Sequence, residues 1–389
     1  MRQRSRRKGG PRLRVVGRSE ILPPPIQAQA RQDLDVDIDF ELIDGIEGLQ
    51  RAVTRPDSFD VYHQWHTIDL IWTARAVQAI DLDRLTHGAE IKAMASAGSG
   101  RALATVFDKL FLQKDGKLGH TPSNRISMLP SIHGVDAFGY LRSIRESQDQ
   151  QSESWGWLLD ARWHGRAAIT AHPVLGIIEA ALAVEAAEGV VFEDIGNLSI
   201  EEIDHVADLL IRKKKIGHFK GAWINYEDAA RLMQRGGVVV QSMLWPALTR
   251  LKGQGLPVCI ATPREGSRGW HADLCISAAA DGDVLEAAYA YLNWWHGGWP
   301  SACLARQGYY ATFPDRVRRH LAPEEWAYWY EGRPAETPLR DPFGQVCIAP
   351  GETREGGAHM ERMSTVRVWN TFMDEHTYLV RRWKEFLDA

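Results

Sequence analysis

Arginine, carboxylate and indole side chains recur at the ends of apolar runs in this sequence, where they could grip a small charged molecule. Arg18-Ser19-Glu20 follows the run Leu13–Gly17, where the C-terminal end of a strand in an open α/β sheet meets a ligand. Gln64-Trp65-His66 follows Phe59–Tyr62, and His133-Gly134 stands inside Met128–Tyr140 with Asp136 close behind. Trp245 and Trp270 stand next to further β-branched runs. A guanidinium at position 18 suits a carboxylate, sulfonate or phosphate. Glu20 and Asp136 could instead hold an amine, and the indoles offer faces for flat or cationic groups at little entropic cost.

Other chemistries are poorly served. His63 and His66 have a spacing that could chelate a metal on a helical turn, but they stand at a strand end with no third ligand. Gly98-Ser99-Gly100 lacks the third glycine, and the Gly-Lys-Ser/Thr, of a phosphate-binding loop. His66, His133 and Glu20 could move protons in a cleft, which keeps an enzyme as the alternative function. No nucleophile elbow or Cys–His pairing supports it. No catalytic residue, metal or cofactor is expected.

The elements that must position these residues alternate between strand and helix. After Leu13–Gly17 come a helix opened by Pro23-Pro24-Pro25, a strand at Val36–Phe40, a short helix at Gly48–Thr54 and a strand at Phe59–Tyr62. That rhythm implies a mainly parallel sheet. Residues 81–127 show no regular period. Arg166–Thr170 starts a second series, with helices over Ile177–Ala187 and behind the capping box Ser199-x-x-Glu202. Lys213–Lys215 suit the negative end of that second helix. Strands at Val238–Ser242 and Val258–Thr262 enclose a helix begun near Trp245, and Ala272–Ser277 follows Trp270 directly. Helices are expected at Asp283–Trp295 and Pro323–Tyr330, and a terminal helix or helix pair at Arg362–Leu387.

With 389 residues, the chain exceeds what one core ordinarily holds, so two lobes are expected. Its 44% hydrophobic and 25% charged content is that of a globular protein. A net charge of −4 gives no general attraction to nucleic acid, and residues 1–12 are too short for a helix-turn-helix. The arginine-rich start reads as a disordered basic tail or the remnant of an export signal, spanning 1–11. The 4 cysteines are widely spaced and read as free thiols.

The order of these pieces resembles the periplasmic solute-binding proteins of ABC importers, in the spermidine/putrescine-binding branch of the type II class. The resemblance rests on the first strand running into Ser19-Glu20 with Pro23-Pro24, on Asp60, and on Leu129-Pro130, Gly134 and Gly139-Tyr140. It continues through Trp155–Gly165, Pro263-Arg264-Glu265-Gly266 with Trp270, Ala287–Trp294, and Arg306-Gln307-Gly308-Tyr309. It implies an α/β fold of two lobes, each a mainly parallel sheet flanked by helices, joined by a strand hinge and followed by C-terminal helices. Lobe one would take 12–135 and 268–318, lobe two 136–267, and a helical segment 319–389. The lobes would close on a solute and deliver it, unaltered, to a membrane permease and its ATPase. A periplasmic monomer is implied.

The ligand set departs from that family's. Arg18 stands where an aromatic residue is expected, His133 where a tryptophan is, and Ala171-His172-Pro173 where an acid is. Ala272 replaces an aspartate, while Trp245, Trp270 and Tyr309 match. Neighbours in an extended segment face opposite ways, so one of Tyr309 and Tyr310 should face the ligand. A dication buried without carboxylates would be poorly compensated. The expected ligand is therefore a carboxylate-bearing or zwitterionic solute, with a polyamine as the nearest competitor. Arg18, Ser19, Glu20, Trp65, His66, His133, Asp136, Trp245, Trp270, Tyr309 and Tyr310 form the expected site.

Overall fold

Leu13 and Val15 on one face and Val16 on the other lie at 0–1% exposure in the strand Arg12–Gly17, the centre of the first sheet. The computed structural model describes residues 10–65, 67–96, 100–146 and 152–389. Arg12–Gly17 pairs in parallel with Asp37–Leu42 and with Val61–Trp65. Asp60 fastens this sheet from just outside the third strand. Its carboxylate accepts the Arg14 backbone N–H at 2.7 Å and the Arg14 guanidinium at 2.7 Å.

The chain divides into two compact units. The first holds residues up to Ile132, His271–Cys303 and Ala311–His320. The second holds His133–Trp270, Leu304–Tyr310 and Leu321–Ala389. These bounds depart from the expected ones: His133–Val135, Arg268–Trp270 and Leu304–Tyr310 join the second unit, and the tail from Leu321 is part of that unit's fold, not a helical appendage. It contributes the strand pair Leu339–Arg340 and Val346–Ile348, and the strand Val366–Trp369.

In the first unit Val61–Trp65 also pairs antiparallel with Ala272–Ile276. The aperiodic region 81–127 carries short strands. Phe111–Leu112, Leu118–Gly119 and Arg125–Ile126 form a small antiparallel sheet with Ile80–Asp81. Strands of two residues are too short to show a period, which is why the sequence hides them.

In the second unit Ala167–Thr170 lies in parallel between Phe219–Trp223 and Val240–Met243. Val240–Met243 then pairs antiparallel with Ala137–Tyr140. Helix Pro173–Glu188 starts on proline, ends at Gly189 in the left-handed region, and is buried along most of its length. Helix Ile200–Lys215 buries one stripe, Ile203, Val206, Ala207, Leu209 and Leu210, and is opened by the expected capping box. Ser199 Oγ accepts the Glu202 N–H at 3.2 Å, and Glu202 Oε2 accepts the Ser199 N–H at 2.9 Å. Ser199→Ala should lower stability by about 1 kcal/mol, measured by urea unfolding.

Two long strands, Leu129–Leu141 and Ser267–Ser277, each start in one unit and end in the other. The second begins five residues before the expected start, so Trp270 lies inside a strand and not ahead of one. Its first half, Ser267-Arg268-Gly269, is polar and gives no β signal, yet pairs with Val366–Trp369. The terminal helix or helix pair expected over Arg362–Leu387 comes as two helices separated by a strand. His359–Ser364 is a helix, Val366–Trp369 a strand, and His376–Asp388 the last helix.

Candidate functional site

Arg18 leaves the end of its strand in a tight turn whose carbonyl accepts the N–H groups of Ile21 and Leu22 at 3.1 and 2.9 Å. Its guanidinium lies 4.4 Å above the Trp65 ring and its Nε donates to Glu20 Oε1. Ser19 Oγ approaches the other Glu20 oxygen at 3.4 Å. Arg18, Glu20 and Trp65 are buried, at 4, 5 and 8% exposure. The first unit therefore gathers four of the expected residues into one cluster. Glu20 already answers the charge of Arg18, so the cluster is close to neutral and offers both signs at once. His66 lies outside the described residues. His63, its partner in the metal reading, is wholly buried in a strand and not on a helical turn. Ser131 donates to the Ala272 carbonyl at 2.8 Å and so accepts from His63 Nε2 at 2.9 Å. Burial pushes the His63 pKa down to about 3, which keeps the ring neutral. No group of three metal-binding side chains occurs among the described residues.

The second unit holds the other expected residues in two different settings. Trp245 opens a helix with proline beside it, and its indole N–H donates to the Val135 carbonyl at 3.0 Å. Trp270 meets Tyr309 edge to face, with centroids 4.7 Å apart. Tyr310 packs on His359 at 4.1 Å and on His133 at 5.7 Å. The two tyrosines thus face opposite ways, as extended neighbours must, and both are buried. His133 and His359 share a hydrogen bond between their Nε2 atoms at 2.8 Å. Burial, reinforced by nearby Arg354, pushes the His359 pKa down to about 3.

Asp136 sits elsewhere, at 0% exposure, bound to Arg268 at 3.2 Å. Arg268 Nε also reaches Glu179 at 3.0 Å, and its Nη1 reaches Asn370 at 3.0 Å. Burial raises Asp136 to about 6 and Glu179 to about 7, against the pull of Arg268. One guanidinium balances one carboxylate, so the second carboxyl is best accommodated protonated. Arg268 engages Oδ2 of Asp136, while its Oδ1 has no hydrogen-bond partner among the described residues.

Sequence reasoning missed Arg354, Arg362 and His359. Arg354 Cζ lies 4.6 Å from the Trp245 ring and 4.4 Å from Tyr310, and Arg362 Cζ lies 4.8 Å from the same indole. They fall in a glycine-rich stretch with no period, so nothing in their spacing marks them. A groove of about 670 Å³ on this unit, lined by Asp160, Arg162, Glu188, Lys213 and Arg264, is a weaker candidate. Its charged side chains already have partners: Arg162 pairs with Asp160, Glu188 with His205 and Arg264 with Glu265, and Lys213 donates to the Leu159 carbonyl.

Comparison with solved structures places the architecture. A putative spermidine/putrescine ABC transporter protein from Listeria monocytogenes superposes with a TM-score of 0.66 at 13% identity, covering 96% of this chain and 98% of that one. The fold is that of ABC-transporter substrate-binding proteins. The binding protein MotA of A. tumefaciens B6, solved with glucopine, gives 0.62 at 11% identity over 96% and 99% of the two chains. The Atu4243 GABA receptor gives 0.58 at 13% identity over 96% and 97%. No protein-family model and no curated protein matches the sequence.

Proposed function

We propose that the chain is the solute-binding component of an ABC importer, working outside the cytoplasmic membrane and handing a small organic solute to a permease and its ATPase. What carries this reading is the near-complete overlap with substrate-binding proteins, 96% of this chain and 98% of the Listeria protein. The solute is a carboxylate-bearing or zwitterionic molecule, held without conversion by a monomer. The Arg18–Glu20 pair on Trp65 favours a zwitterion, because it can offer a cation to a carboxylate and a carboxylate to an amine. A polyamine remains the second reading, on the strength of Glu20 and the aromatic rings.

The test begins with native mass spectrometry of the purified protein to identify a retained solute, and with its chemical identity after release. An unchanged small molecule is the expected result. A converted one would move the protein to the enzyme reading. Arg18→Ala should weaken capture of a carboxylate solute at least tenfold by calorimetry, since Glu20 would then be buried without its cation. Unaltered affinity would remove Arg18 from the site.

A further inference from the structure

Arg354 and Arg362 are each 3% exposed, and neither forms an ion pair with a carboxylate among the described residues. Arg354 donates from Nη1 to the Trp329 carbonyl and from Nη2 to the Gly308 carbonyl at 2.6 Å. Arg362 donates from Nη1 to the Glu355 carbonyl and from Nη2 to the Val135 carbonyl at 3.0 Å. The Nε of each has no hydrogen-bond partner among the described residues. The nearest acids in sequence are otherwise engaged: Glu352 and Glu355 by Lys252 at 3.0 and 3.1 Å, and Glu361 by the Ala358 N–H at 2.8 Å. Two like charges therefore share one indole, Trp245, inside the second unit. Tying carbonyls together needs donors only, and neutral ones would serve. Two buried cations with no ion-paired carboxylate among the described residues exceed that task and cost free energy.

We propose that Arg354 and Arg362, on either side of the chain's Gly356-Gly357 turn and both stacked on Trp245, form a carboxylate-binding subsite within the second unit, separate from the Arg18–Glu20 pair of the first. The inference rests on the importer reading for its biological sense, but its chemistry stands separately. Trp245, Tyr310 and Trp329 line the guanidinium of Arg354 at 4.6, 4.4 and 5.0 Å. Such rings hold it by cation–π attraction and leave its unpartnered Nε–H for an oxyanion. Burial and the neighbouring Arg362 push the Arg354 pKa down. An anion would relieve both effects. His133 and His359, hydrogen-bonded to each other, close the far side of Tyr310 without adding a carboxylate.

A matched four-carbon series tests this: succinate, 4-aminobutyrate and putrescine differ mainly in whether each end is a carboxylate or an ammonium. At about 10 mM, a carboxylate bound to the folded state should raise Tm by a few degrees. Succinate and 4-aminobutyrate should do so and putrescine should not. Arg362→Met should lose at least tenfold in affinity for succinate while the unliganded Tm stays level or rises, because a like charge has gone. Arg354→Lys should keep the fold and the charge but also bind at least tenfold more weakly, lacking the planar fork. Its behaviour decides the matter if the methionine variant fails to fold. Equal stabilisation by putrescine, no stabilisation by either acid, or full affinity in Arg354→Lys would each overturn the subsite. A carboxylate-free solute found by mass spectrometry would overturn it too, while leaving the importer reading intact.

Discussion

Arg268→Met should destabilise the protein by about 3–5 kcal/mol at pH 8, the largest loss expected from a single exchange here. Arg268, Asp136 and Glu179 are all at 0% exposure, and the guanidinium is the cation both carboxyls contact. Without it, two carboxylates would face each other in a low-dielectric interior. Methionine fills the volume but returns none of the charge. The loss should shrink at pH 5. Both acids have folded-state pKa values, about 6 and about 7, above those of the unfolded chain. Their contribution is therefore fully present at low pH and is lost as pH rises through 6 and 7. The folded state binds the extra proton in that window, so stability falls with pH by up to about 1.4 kcal/mol per unit for each proton. Removing Arg268 takes away the charge that pulls both values down, so the fall continues to higher pH. Urea unfolding of wild type and variant at pH 5 and pH 8 measures the difference. A gap between the two proteins that stays constant with pH would mean that packing, not charge, sets the cost.

Gly308→Ala should cost about 3 kcal/mol, for two separable reasons. The residue has φ of +98°, which L side chains adopt only under strain. A Cβ there would also stand 2.5 Å from Cε3 of Trp245, a distance no packed carbon tolerates. Gly189 supplies the control: its φ is +71°, and nothing stands within 4 Å of an added Cβ. Gly189→Ala should therefore show the backbone strain alone, about 1 kcal/mol. The excess at Gly308 measures how firmly the Trp245 indole is held. Because the Gly308 carbonyl accepts from Arg354, the same exchange should reduce affinity for succinate more than Gly189→Ala does.

These two predictions concern residues that local pattern treats very differently. Trp245 and Trp270 stand out by residue type, and their place among the expected site residues needed no tertiary contact. Gly308 was legible only as one letter of a motif, and Arg268 only as a polar residue ahead of an expected strand. The reason is periodicity. Leu13, Val15 and Val16, or Ile203, Val206 and Leu210, announce strand and helix because each apolar face repeats at the element's own period. Ser267-Arg268-Gly269 has no such face, since its polar side chains are satisfied by partners from distant parts of the chain.

The sequence by itself determined the longer strands and helices, the capping of helix Ile200–Lys215 and the alternation of Tyr309 with Tyr310, each of which depends on residues a few positions apart. The type of fold followed from a resemblance spread over the whole chain. Tertiary structure alone decided where the charges are spent. It pairs Arg18 with Glu20 under Trp65's ring and commits Asp136 to Arg268, 132 residues away. It also carries Arg354 and Arg362 back to the Trp245 indole. Coulombic partnership depends on distance in space and on exclusion of water, and neither is written in the spacing of residues along a chain.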